Sequence, residues 1–201
     1  MPLSSPAQRE RMHTRRIEID GYLREDGLWD IEAHLTDEKS YEFDNEWRGR
    51  VEPGAKVHDM WIRLTVDDAR VIHGVEVTTD VGPYRICPEV APNFQVLKGI
   101  KIGRGWFSRV KELLGGTRGC THLVELLGPL ATVVYQTQTS QLLERKRAKA
   151  AVAGNPSGEA GAAQAAASQA RRRPWWLNTC HAYASDSEVV KRFHPDFYTG
   201  T

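Results

Sequence analysis

The sequence predicts an α+β fold in which an antiparallel sheet of about four strands, built as two hairpins, packs against helices. Three observations carry that prediction. Apolar and polar residues alternate with a period of two over much of residues 17–77. The alternation is broken at turns rich in Asp and Gly. After Cys87-Pro88 the period lengthens to nearer that of a helix.

The first strand is Ile17-Glu18-Ile19-Asp20-Gly21-Tyr22-Leu23, and Arg24-Glu25-Asp26-Gly27 supplies an Asp-Gly turn. The return strand places Trp29, Ile31, Ala33 and Leu35 on one face and Asp30, Glu32, His34 and Thr36 on the other. His34 then reads as a solvated residue of the polar face. Residues 38–54 read as a loop. The second hairpin opens with His58, Met60, Ile62, Leu64 and Val66 on one face and Asp59, Trp61 and Arg63 on the other. After a turn at Val66-Asp67-Asp68-Ala69, Val71, His73, Val75 and Val77 share a face, so His73 reads as a core histidine. His58 stands at the start of its strand, where core face meets loop.

A short helix is expected from Pro88 toward Leu97, and an amphipathic one over residues 106–114, stopped by Gly115-Gly116. A third follows Cys120 through Leu126, Leu127 and Leu130, with Gly128-Pro129 expected to kink or interrupt it before it resumes to about Ala148. Three segments result. Residues 1–148 form the core domain, 149–173 an Ala/Gly-rich linker, and 174–201 an aromatic tail expected to dock on the core or on a neighbouring subunit.

The totals bound the function. The 201 residues carry a net charge of +1, which offers no basis for binding nucleic acid or an acidic membrane surface. Three cysteines without framework spacing, no signal-peptide core and no long apolar run predict a soluble protein of the bacterial cytoplasm. The expected partners are a small aromatic substrate and further copies of the chain.

The chemistry concentrates around Gly119-Cys120-Thr121-His122-Leu123. A thiol at a helix N-terminus has its thiolate favoured by free backbone N–H groups and the helix dipole. His58 and Asp59 supply an imidazole and a carboxylate, the pair used for proton transfer near neutral pH. On a regular strand these two point to opposite faces, so their cooperation requires a bulge or loop. The candidate catalytic set is His58, Asp59, Cys120 and His122, with Cys180 and His181 of the tail as further partners. Asp59, Cys120 and His122 are also the ligand types that zinc accepts, so the cofactor expectation is none or one divalent metal. Trp61, Tyr22, Tyr84, Arg85 and Lys98 are the candidates for holding an aromatic or carboxylate substrate.

The chain resembles the bacterial family catalogued as domain of unknown function 2889. The resemblance lies in His13-Thr14-Arg15, Gly21-Tyr22-Leu23, Asp30-Ile31-Glu32-Ala33, His58-Asp59-Met60-Trp61, Gly119-Cys120-Thr121-His122-Leu123 and Thr179-Cys180-His181-Ala182. It implies an accessory enzyme of aromatic or acyl-compound catabolism, a lyase acting on lignin-derived phenolics by C–C cleavage. Residues 57–64 and 119–123 also resemble the NifU/SufU type of iron–sulfur scaffold, with Asp59 and Cys120 matching its pattern. Val57 replaces the first scaffold cysteine, and no middle cysteine follows residues 78–82. That resemblance implies the scaffold's fold without its three-thiolate cluster. Three functions therefore stand as expectations: a lyase using acid–base proton transfer, a zinc- or iron–sulfur-binding scaffold-like protein, and a structural subunit.

Overall fold

The computed structural model describes residues 3–152, 173, 174 and 176–200, including their side chains except those of 143 and 146–152. The architecture is α+β. Strands β1 (His13–Leu23), β2 (Trp29–Lys39), β5 (Lys56–Val66) and β6 (Ile72–Val81) form a four-stranded antiparallel sheet in the order β1-β2-β5-β6. The two expected hairpins are its halves, and β2 and β5 are its centre.

The first hairpin closes where Gly27 takes a left-handed backbone (φ 85°) and the Asp26 carboxylate accepts the Leu28 N–H at 3.2 Å. Between the hairpins lies a small feature that sequence alternation does not reveal. Strands β3 (Phe43–Asn45) and β4 (Gly49–Val51) pair across a turn in which Asn45 Oδ1 accepts the N–H groups of Trp47 and Arg48. Three residues per strand are too few for a periodic signal.

One face of the sheet carries Trp29, Ile31, Ala33 and Leu35 from β2 and Met60, Ile62, Leu64 and Val66 from β5, all buried. A 3-10 segment, Cys87–Leu97, brings Phe94 and Leu97 into the same core. Helix α1 (Trp106–Leu114) adds Trp106, Val110 and Leu114, and the Trp106 indole N–H donates to the Leu127 carbonyl at 2.8 Å. Helix α2 (Thr121–Val152) contributes Leu123, Leu126, Leu127, Leu130, Ala131 and Val134.

Two expectations about these elements are corrected. Helix α2 runs unbroken through Gly128-Pro129 and past Ala148. Proline at 129 removes one intrahelical donor, but the apolar residues on both sides of it are buried in the core, and that packing holds the helix together. His73 is exposed, not core. The β5–β6 register shifts between Thr65 and Val66, so Val66 pairs with Ile72 while Thr65 pairs with Gly74. His73 is the unpaired residue of that bulge, and its Nε2 lies 3.0 Å from the Asp67 carboxylate.

Residues 147–201 form a second compact unit, separate from residues 1–146. Within it Trp176 packs on Tyr183 and His194, with ring centroids 4.7 and 4.4 Å away. A short helix, α3 (Glu188–Phe193), is capped by the Ser187 hydroxyl, which accepts the Val190 N–H, and Val190 is buried. The aromatic tail thus has packing of its own. Trp175 and the greater part of the expected linker, 153–172, lie outside the described residues.

Candidate functional site

The end of the sheet where β2 finishes and β5 begins meets the N-terminus of α2. Cys120 stands at the N-cap position of that helix: its carbonyl accepts the Val124 N–H at 2.9 Å. Its sulfur takes the place usually filled by a Ser or Asp oxygen, accepting the N–H groups of His122 and Leu123. Burial alone would push this thiol up, but the His122 side chain and the two backbone N–H groups outweigh it, and the thiol sits below its ordinary value. The sulfur is 3.8 Å from His122 Nδ1.

The His122 ring lies against the His58 ring, centroids 3.9 Å apart and planes tilted by 38°. His58 Nδ1 is 2.9 Å from a carboxylate oxygen of Asp37, directly opposite on β2. Asp37 is only 2% exposed. Arg15 on β1 grips it with a fork, Nε and Nη2 each at 2.9 Å, and His13 Nε2 reaches it at the same distance. Arg15 also donates to Glu125 of α2 at 2.7 Å, tying strand and helix together over the cluster. Burial raises Asp37, and the Arg15 guanidinium and His58 more than reverse it, leaving the carboxyl below the ordinary carboxylate range. His58 is pulled below the usual imidazole value, first by burial and then by the neighbouring His122, against the opposing pull of Asp37. The result is a chain from a cap thiol through two imidazoles in contact to a buried, firmly ionised carboxylate.

Of the four candidate catalytic residues, His58, Cys120 and His122 come together here and Asp59 does not. A regular strand turns neighbours to opposite faces, and the bulge beyond Asp59 does not undo that. Asp59 lies on the other face, where it meets His34 Nε2 at 2.6 Å and the Lys56 ammonium. Trp61 shares that face, stacked on His34 with ring centroids 3.7 Å apart and planes within 6°. It borders a cavity of about 300 Å3 with Glu32, Arg63 and Glu76. His34 is therefore no solvated bystander, and Trp61 does not wall the Cys120 cluster.

The other substrate-binding candidates do not converge on the cluster. Tyr22 is exposed at the far end of β1, opposite Asp30. Tyr84 is exposed beyond β6, Arg85 leans over Trp47, and Lys98 caps the 3-10 segment on the surface. Cys180 is exposed in the second unit. The cavity adjoining the cluster, about 250 Å3, is lined by Arg11, His13, Glu38 and Lys39 among others.

Three residues of the cluster escape the sequence reading: Asp37, Arg15 and His13. A signal for Asp37 exists, because it continues the core phase of β2 set by Trp29, Ile31, Ala33 and Leu35. A carboxylate in that phase must be buried and paired. Arg15 and His13 share its face one strand over.

Asp37, His58 and His122 also form a possible metal-binding triad, each offering one ligand atom within 4.8 Å of the others. It shares His122 with the set expected from sequence, and has Asp37 and His58 where Asp59 and Cys120 were expected. No cysteine belongs to such a group among the described residues, so the three-thiolate arrangement of an iron–sulfur scaffold has no counterpart there.

A family model described as a protein of unknown function, DUF2889, matches residues 13–136. No curated protein and no solved structure matches the chain.

Proposed function

The chain belongs to the DUF2889 family, and we propose that it is a lyase-type enzyme whose proton transfers run through the Asp37–His58–His122–Cys120 cluster. The observation that carries the reading is the buried Asp37 carboxylate paired to His58. A hydrophobic core gains nothing from a buried carboxylate surrounded by three cationic or proton-carrying side chains, and such arrangements collect where proton transfer is needed.

In this reading His58, kept neutral by burial and oriented by Asp37, accepts a proton from a substrate hydroxyl. The adjoining C–C bond breaks as the carbonyl forms. Its electron pair passes to the carbon conjugated with the aromatic ring, and that carbon takes a proton from the Cys120–His122 pair opposite. The proton held by His58 is released to solvent and the Cys120–His122 pair takes one up from solvent, which restores the resting state. A phenolic compound with a hydroxylated side chain meets these requirements.

The test is to incubate the full chain with such phenolics and follow carbonyl release by liquid chromatography and mass spectrometry. His58→Gln is expected to lower turnover by about 100-fold or more, the usual scale for losing a positioned acid–base group. Turnover unaffected by His58→Gln removes the proposal.

A metal centre is the second reading, favoured by the donor chemistry of Asp37, His58 and His122. Two imidazoles and a carboxylate suit zinc, which would supply Lewis-acid activation of a bound water or carbonyl. Both oxygens of Asp37 already accept two donors each, one of them from the Arg15 cation, so a second cation there must displace a partner. That is why the metal-free reading ranks first. Elemental analysis of the purified chain and of Asp37→Ala decides between the two: near-stoichiometric zinc lost in the variant establishes the metal reading.

A further inference from the structure

We propose that β1 pairs edge to edge with β1 of a second copy of this chain, antiparallel and with Ile17 on the two-fold axis. The two edges of the four-stranded sheet are treated differently. The β6 edge is covered over its first residues: Ile72 donates its N–H to the Ile100 carbonyl at 3.0 Å and accepts from Gly99 at 2.8 Å, Gln95 donates to the Val75 carbonyl, and Val71 bridges to Lys101. Strand β1 is eleven residues long, free of proline and regular in its pairing with β2, and among the described residues no strand covers its outer edge. It also lacks the bulges that usually blunt such an edge. Met12, Ile17, Tyr22 and Leu23 are 50, 39, 49 and 47% exposed along it.

The hydrogen-bond phase follows from the hairpin. Arg24 donates to the Leu28 carbonyl and Ser40 to the Met12 carbonyl. Even-numbered residues of β1 therefore turn their backbone groups toward β2, and the odd-numbered ones, including His13, Arg15, Ile17, Ile19 and Gly21, present theirs outward. A symmetric antiparallel pair must match odd with odd.

Among the two-fold registers centred on residues 15 to 20, charge then selects one. Centring on Arg15, Arg16, Glu18 or Asp20 sets a charged residue against itself, and centring on Ile19 sets Glu18 against Asp20. Centring on Ile17 sets Arg16 against Glu18 twice, Ile17 against Ile17 and Met12 against Tyr22. In that register the backbone groups of His13 and Arg15, which hold Asp37, bond to Gly21 and Ile19 of the second copy. The partner thereby steadies the outer wall of the cluster. The interface is isologous and closes at two copies.

The test uses Arg16→Glu and Glu18→Arg in the full chain, with mass measured by light scattering after size exclusion. The unaltered chain is expected to be a dimer at micromolar concentration. Each variant alone sets like charges together twice and is expected to dimerise about tenfold or more weakly. Mixing the two restores opposite charges at both positions, so a heterodimer forms where neither variant pairs with itself. Ile17→Pro supplies an independent check: it removes an outward N–H and leaves the β1–β2 ladder intact, and it is expected to yield a monomer with unchanged circular dichroism. A monomeric parent chain overturns the proposal. So does a dimer that survives these substitutions, or a mixture that behaves as its components do.

Discussion

His58 pairs with a carboxylate yet is pulled below the ordinary imidazole value, about 6.5, because burial and the His122 ring outweigh Asp37. The folded chain therefore binds fewer protons than the unfolded chain as pH falls below that value. Stability must decrease on acidification through this window and recover as pH rises. Asp37 acts in a different window: its depressed carboxyl stabilises the fold above the ordinary carboxylate value, about 3.9, and that contribution is lost as pH falls further. Thermal unfolding followed from about pH 7.5 to about pH 3, a range that spans the imidazole and the carboxylate values, separates the two. His58→Gln is expected to flatten the dependence of Tm on pH around the imidazole value, about 6.5, while leaving the loss around the carboxylate value, about 3.9. An unchanged slope in the variant would remove His58 as the group responsible. The same residues show what the sequence discloses at this scale. Cys120, His122 and His58 are legible from a glycine-rich helix entry and from a strand start. Asp37 is missed because its signal is a phase and not a motif, and its ion pair with Arg15 joins residues 22 apart.

At the scale of elements, β1 and α2 are tightly packed at Gly21. A Cβ built there would fall 2.0 Å from the Thr137 hydroxyl oxygen and 2.7 Å from its methyl carbon. Glycine in mid-strand ordinarily weakens a strand, so its presence here reports the close contact and not a turn. Gly21→Ala is expected to destabilise by about 1–3 kcal/mol, the usual cost of overpacking. Thr137→Gly should recover most of that loss in the double variant, measured by denaturant unfolding as a double-mutant cycle. Additive effects would mean that the two do not meet. The four strands of the main sheet and α1 are readable from periodicity because their patterns are long and one-sided. The unbroken α2 is not, since the rule that proline stops a helix is local and the buried leucines that override it belong to the tertiary core. The β5–β6 bulge hides for the same reason: it moves His73 out of a phase that sequence alternation assigns to the core.

For the whole molecule, the apolar cluster that holds the sheet and helices together runs from Trp29 to Val134, with partly buried residues from Ile19 to Leu142 packed against it, entirely within the first compact unit. The last side chain seen to close over that core is Arg145, which lies over the Trp29 ring at 4.9 Å and meets Asp68 at 3.2 Å. Trp29 in turn donates its indole N–H to Asp68 at 2.9 Å, so these three residues form a cover at one end of the sheet. A chain ending at Val152 keeps that cover, the cap at Cys120 and the β1 edge. Its Tm is expected to lie within about 3 °C of the full chain's, since only changes of a few tenths of a kcal/mol accompany alterations away from a core. A chain ending at Gln141 loses Arg145 and leaves one face of a large aromatic ring bare, so it should melt lower and expose Trp29 fluorescence to quenching by iodide. If the chain ending at Val152 melts as low as the chain ending at Gln141, residues 153–201 contribute to the stability of the first unit, and the two units do not fold independently.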